Sequence, residues 1–342
     1  MKKIITLLSL ILLLLSCGKE KQKNENVLYL YGWADYIPTK IYDDFEKETG
    51  IKVVEDIYSS NEEMFAKIKA GGSGYDILTP STDYAEILMN DGMIEKLDKS
   101  KLSSLNNIDP IVFEKLQYFD PNNDYAFPFA MGATTIAVNT KYVKDFPKDF
   151  TIYNNVAYKG KMTLLDDMRE VMTSALGTLG YPQTTESETA IAQAANLVKG
   201  WKKNIAKFDS ESFGKGFANE DFWVVHCYPD NVLNELTPEQ LEATEFIIPE
   251  KGGTAYIDSF VIPKTAPNKE AAYKFLNFIQ RPENYKLIAE HLRIPSINIP
   301  ARELITVEPI YSMDDLKHTE ILRDIKNTLD LQNKYWQEIL ID

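Results

Sequence analysis

Apolar positions along the chain fall into short unbroken runs separated by stretches of helical periodicity, so strands are predicted to alternate with helices. Val27-Leu28-Tyr29-Leu30-Tyr31, rich in aromatic and aliphatic residues, reads as a buried strand. Pro38 and the helical pattern through Ile41 and Phe45 predict a helix start. Gly50 then turns the chain into an alternating strand over 51–58. Residues 61–70 read as a short amphipathic helix, capped by Ser60 or Asn61 and ended by Gly71-Gly72. A strand over 75–79, a Pro80-Ser81-Thr82 turn and a helix over about 83–90 follow. The order β-α-β-α-β-α predicts an open α/β layer with a largely parallel sheet.

A second such pattern begins after residues 124–139, read as one strand running through a glycine joint at Gly132. A strand over 161–165 ends at Asp166-Asp167-Met168-Arg169-Glu170, where a helix starts. Residues 187–201 form a strong amphipathic pattern with Ser187 as cap. Residues 222–226 and 245–249 are apolar strands, and 256–263 is a second passage between domains. Helices are expected over 268–278 and, closing the chain, over 320–340. The fold class is therefore α/β and bilobal, with 27–131 and 259–300 in one lobe and 132–258 and 301–342 in the other. Repeated crossings join the lobes around a cleft whose walls move by hinge closure.

The amino terminus adds a compartment. Met1-Lys2-Lys3 is basic, residues 4–15 are apolar apart from Thr6 and Ser9, and Leu14-Leu15-Ser16-Cys17 matches a bacterial lipobox. That run is too short to span a bilayer comfortably. Residues 1–16 are expected to be a lipoprotein signal peptide, Cys17 the lipidated residue, and 17–26 a flexible tether. About 325 residues remain, enough for two domains with cores of their own. Such a protein would sit in the periplasm or on the outer face of the cytoplasmic membrane.

Charge narrows the partners. The chain has 51 acidic and 37 basic residues, a net charge of −14, which disfavours nucleic acid and suits a cationic ligand. With Cys17 modified, Cys227 has no partner for an intrachain disulfide. His226, His291 and His318 lack zinc-like spacing, and neither metal nor cofactor is expected.

Candidate chemistry gathers first at Gly32-Trp33-Ala34-Asp35-Tyr36, where two rings and a carboxylate follow a strand end, the ligand-binding edge of open α/β sheets. Ring faces and a carboxylate together suit a cation. Simple packing is the competing reading of Trp33 and Tyr36. Asp166, Asp167 and Glu170 on their own read as a capped helix terminus, where acids suit the dipole. Asp258, in an apolar Tyr-Ile-Asp-Ser strand, is unusual because a buried lone carboxylate is costly without a partner.

The residues also resemble a family, the spermidine/putrescine-binding proteins of bacterial ABC transporters. Similar segments are Tyr31-Gly32-Trp33-Ala34-Asp35-Tyr36-Ile37-Pro38, Tyr75-Asp76-Ile77-Leu78-Thr79-Pro80-Ser81-Thr82, Asp120-Pro121-Asn122-Asn123-Asp124-Tyr125, Leu165-Asp166-Asp167-Met168-Arg169-Glu170-Val171, and Gly252-Gly253 followed by Tyr256-Ile257-Asp258-Ser259. The resemblance implies a periplasmic-binding-protein-like fold, a polyamine ligand, an ABC permease as partner, a monomer and no enzymatic activity. It implies that Trp33 and Tyr36 form one wall of the site, with Asp35 near one end of the ligand. Ser81 matches a polar contact, Asp167 and Glu170 the carboxylates of the second lobe, and Asp258 an aspartate that holds an ammonium. Ser210 matches a minor hydrogen-bonding serine.

Departures from the pattern fall at several positions. Tyr256 stands where the family usually carries tryptophan, Asp83 where spermidine binders tend to carry tyrosine, and Ile294 where tyrosine is usual. His226 aligns with a cleft tryptophan, Tyr228 and Asp230 follow it, and Arg323 aligns with a polar amide. The implied cleft is more acidic and less aromatic than a typical spermidine site. Rival readings are another organic cation such as thiamine, a secreted hydrolase using an Asp167–Glu170 pair, and a polyamine-sensing lipoprotein.

Overall fold

The structure, a computed structural model, describes residues 26–325 and 327–341. The expected signal segment, Cys17 and all of the tether but Asn26 lie outside the described residues.

The first lobe opens with β1 (Val27–Trp33), α1 (Thr39–Thr49), β2 (Lys52–Tyr58), α2 (Asn61–Lys69), β3 (Ile77–Leu78) and α3 (Thr82–Asn90). Local signals set these limits: Gly50 ends α1 at φ 70°, in the left-handed region glycine adopts without strain, and the Ser60 hydroxyl accepts from Glu63 N at the start of α2. β1 lies between β2 and β3, parallel to both. After α4 (Pro110–Leu116), β4 (Phe127–Ala133) completes the outward run of the chain through this lobe.

β5 (Thr135–Asn139) belongs to the second lobe, so the crossing falls at Thr134. There follow β6 (Met162–Leu164), α5 (Met168–Thr178), α6 (Glu188–Lys202), β7 (Lys207–Phe208), α7 (Phe213–Ala218), β8 (Val224–Cys227), α8 (Pro229–Leu233), α9 (Pro238–Glu242) and β9 (Thr244–Ile247). Its sheet has the order β7-β6-β8-β5-β9. β10 (Thr254–Phe260) then returns to the first lobe, antiparallel to β4, and leads to α10 (Lys269–Ile279) and α11 (Pro282–Leu292). A short β11 (Glu320–Ile321) pairs with β10 before α12 (Leu329–Ile341) packs on the second lobe.

Two separate apolar cores follow from this path. One joins Leu28, Leu30, Phe45, Phe127, Phe260 and Phe275; the other joins Ile136, Leu164, Val171, Trp201, Val224 and Trp336.

Three expectations are corrected. Ala255 and Ile257 pack in the first core, so Tyr256 and Asp258 belong to the first lobe and not to a second lobe reaching residue 258. Ala301, Tyr311, Leu316 and Ile321 pack in the first core too, which removes 301–321 from the second lobe. No helix begins at Glu320, because Glu320 and Ile321 are held extended by pairing with Thr254 and Ala255. The helix starts at Leu329.

Candidate functional site

β10 carries the acidic centre of the site. Its ladder with β4 steps from Asp258–Ala130 to Ser259–Pro128, skipping Phe129. Pro128 has no N–H to give, and such a bulge re-aims the side chains beside it. Asp258 is 4% exposed, yet the Tyr36 hydroxyl donates to Oδ2 at 2.5 Å and the Ser81 hydroxyl to Oδ1 at 2.7 Å. Burial pushes its carboxyl up to about 6 against the pull of those two hydroxyls, and the nearby Asp83 charge adds to the rise. Among the described residues no cation pairs with it. A carboxylate held this way is ready to accept a positive group.

Rings surround it. Tyr36 meets Phe129 edge-on at 5.4 Å, and Tyr228 meets Tyr256 edge-on at 6.2 Å. Tyr256 faces Gly132 across the β4–β10 ladder; a Cβ on Gly132 would lie 2.3 Å from the phenolic oxygen. The glycine joint seen in the sequence is thus the floor on which the Tyr256 ring lies. Trp33 packs against Tyr58 at 4.6 Å, and its buried Nε1 has no hydrogen-bond partner.

The second lobe supplies Asp167 and Glu170. Asp167 caps α5, accepting from Arg169 N at 2.8 Å and Glu170 N at 3.1 Å. The capping role expected of an acid at this helix start is therefore present, at Asp167, while Asp166 is exposed. Glu170 is 2% exposed and accepts from the hydroxyls of Thr134 and Thr254, the residues at which the chain crosses between lobes. Burial, with the Asp167 charge second, raises its carboxyl to about 8. The charges of Glu170, Asp167 and Asp258 all reach Tyr228, whose hydroxyl burial pushes well up. Tyr228 of the second lobe, edge-on to Tyr256 of the first, thus stands among carboxylates of both lobes.

Asp35 has φ +57° and is exposed, and its carbonyl accepts from the His291 ring at 2.8 Å. It borders a cavity of about 310 Å³ lined also by Tyr36 and by Glu211, Asp230 and Asn234 of the second lobe. Ser210 is exposed and takes the N–H of Asp166 at 2.9 Å. His226 is fully buried in the second core, edge-on to Phe150 at 5.1 Å, with neither ring nitrogen hydrogen-bonded. Burial alone drives it down to about 3, so it is a neutral core residue away from the carboxylates. Arg323 lays its guanidinium 4.1 Å over the Tyr118 ring. Asp83 lies 3.5 Å from Arg169 Nη1. Arg169, Thr134 and Thr254 were not singled out from the sequence; a threonine at each of two domain crossings was the available signal.

Comparison with known proteins agrees with this architecture. Residues 40–309 match the profile of the bacterial extracellular solute-binding proteins. A spermidine/putrescine-binding periplasmic protein of Escherichia coli strain K12 is 36% identical over 92% of either chain. The putrescine-binding periplasmic protein PotF of the same organism is 33% identical, covering 83% of this chain and 81% of its own. The crystal structure of the TpPotD lipoprotein of Treponema pallidum superposes with a TM-score of 0.89 at 38% identity, over 92% of this chain and 99% of that one. The PotD substrate-binding protein of Streptococcus pneumoniae gives 0.83 at 27% identity, with the same coverage. The chain belongs to the family of bacterial extracellular solute-binding proteins, built as two α/β lobes.

Proposed function

We propose that the protein captures a polyamine, spermidine or putrescine, between its lobes and presents it to an ABC permease. Asp258 carries this reading. It is a buried carboxylate, steadied by two neutral hydroxyls and left without a protein cation among the described residues. An ammonium supplied by a ligand would offset the cost of burying that charge. The second carboxylate group, Asp167 and Glu170, lies on the other lobe and suits a second ammonium. Tyr36, Tyr228 and Tyr256 offer ring faces to the methylenes and to the charge. The names of the relatives, spermidine/putrescine-binding and putrescine-binding, support the same class.

No covalent chemistry is called for. Ligand binds the closed state more tightly because only there do carboxylates of both lobes reach it, and closure shifts the population accordingly. Chain length is selected by the spacing of the two carboxylate groups, since a mismatched ligand leaves one unpaired. Lipidation at Cys17 would keep the protein beside its permease on the outer face of the membrane.

A thermal-shift panel of putrescine, cadaverine, spermidine, spermine and thiamine tests this reading. Stabilisation by a polyamine and not by thiamine is expected. A response to thiamine alone would replace the polyamine with another organic cation.

A further inference from the structure

Asp83 and Arg169 stand on opposite lobes. Asp83 is in the first turn of α3, whose Ala85 and Leu88 pack in the first core. Arg169 is in the first turn of α5, whose Val171 and Ala175 pack in the second. Arg169 Nη1 lies 3.5 Å from Asp83 Oδ2, with side-chain exposures of 18% and 10%. Arg169 Nη2 also donates to the main-chain carbonyl of Arg323. That residue lies between β11 and α12, on the third stretch that runs from one lobe to the other. The Arg323 N–H in turn donates to Gln183 Oε1 at 3.1 Å, and its guanidinium covers Tyr118. A single guanidinium from the second lobe thus ties together the first lobe and the hinge.

The geometry points to an interlobe clamp: the Arg169–Asp83 ion pair holds the lobes closed from the protein's side and keeps Asp83 from a ligand ammonium. Asp83 is then a positioning residue for closure. An ion pair that exists only when the lobes meet favours the closed state with or without ligand. It also raises apparent affinity, because less of the ligand's binding energy is spent on closing. Partial burial strengthens such a pair relative to a solvated one, and removing one partner strands the other charge. Of the carboxylates Asp83, Asp167, Glu170 and Asp258, Asp83 is the one that forms an ion pair among the described residues. On the reading proposed above, the ligand's charges are left to Asp258 at one end and to Asp167 and Glu170 at the other.

Small-angle X-ray scattering on ligand-free protein tests the clamp without reference to any ligand. Wild type is expected to be more compact than Asp83→Asn or Arg169→Gln, and the swapped double variant Asp83→Arg/Arg169→Asp to recover compactness. Superimposable curves for all proteins, or a swap as open as either single variant, would overturn it. Calorimetric titration with spermidine supplies the second arm. Both single variants should bind about tenfold more weakly, and their combination little worse than either. Were Asp83 a ligand contact, Asp83→Asn would weaken binding while Arg169→Gln, which removes a competing cation, would strengthen it. Opposite signs therefore reject the clamp, even if the polyamine reading stands.

Discussion

Tyr36 donates its hydroxyl to Asp258 across 2.5 Å, joining the loop after β1 to a strand 222 residues further along the chain. Ser81 meets the same carboxylate from the loop after β3. The acid is thereby fixed in orientation while its charge remains uncompensated by protein. Replacing it by the isosteric amide removes the charge and leaves one oxygen to accept from one hydroxyl, while the other hydroxyl turns to accept from the new NH2. Asp258→Asn should weaken polyamine binding by about tenfold or more, the loss of a charge-assisted contact, with little change in melting temperature. Calorimetric titration beside a thermal melt checks both halves.

Tyr256 depends on Gly132 in the same way that Asp258 depends on Tyr36. An added methyl would fall 2.3 Å from the phenolic oxygen and 2.4 Å from the ring carbon that bears it. Both residues sit in paired strands, so the ring must be displaced. Gly132→Ala should lower stability by about 1–3 kcal/mol and weaken polyamine binding, because the displaced ring no longer lies beside Asp258. Denaturant unfolding and calorimetry read the two effects separately.

Glu170 makes binding proton-linked. Its carboxyl is held near 8 by burial and by Asp167, against an ordinary value of 4.5. Between those values the folded protein keeps a proton that the unfolded chain has lost, so this group's contribution to stability falls as pH rises through the window. An ammonium near Glu170 favours the ionised form, so binding expels the proton. Polyamine affinity should therefore rise from about pH 6 to about pH 8, by at most about tenfold per unit for one proton. Titrations in two buffers of different ionisation enthalpy at about pH 7 should reveal proton release, and Glu170→Gln should abolish it. Equal heats in both buffers would contradict the linkage.

His226 offers the opposite sign. Burial lowers it from 6.5 to about 3, so its contribution is intact above pH 6.5 and is lost progressively as pH falls toward 3. His226→Leu removes both this acid sensitivity and two unpartnered ring nitrogens. The variant should melt higher than wild type at about pH 7, with the gap widening by up to about 1.4 kcal/mol for each pH unit below 6.5. Spermidine affinity should stay unchanged, which separates a core role from a cleft role.

The order of strands and helices was legible because glycine and proline punctuate it: Gly50, Gly71-Gly72 and Pro80 lie at element ends as their backbone preferences require. The bilobal α/β class followed from that order. Lobe boundaries were legible only approximately. Whether 301–321 joins the first or second core depends on where Tyr311 and Leu316 find apolar neighbours, which no local pattern carries. The same holds at Glu320, where pairing with Thr254 overrides a helical periodicity. Within the site, Tyr36 and Ser81 lie in the loops after β1 and β3, where the strand–turn pattern puts candidates, and Asp258 lies inside β10. The reading of His226 as cleft-lining meets a strand buried along its whole length: β8 lies between β5 and β6, and the imidazole packs against Phe150 of the second core. Asp35 stands at a left-handed φ and lines the cavity it shares with Tyr36 and Asp230, a placement that no hydrophobic pattern carries. Arg169 was passed over because its meaning lies in a partner on the other lobe.

A crystal structure of the protein grown with spermidine tests polyamine capture by Asp258 without intermediaries. One polyamine is expected between the lobes, with an ammonium within hydrogen-bonding distance of Asp258, another beside Asp167 and Glu170, and the Tyr36 and Tyr256 rings against the methylenes. A polyamine bound away from Asp258, with that carboxylate still held only by Tyr36 and Ser81, would contradict it.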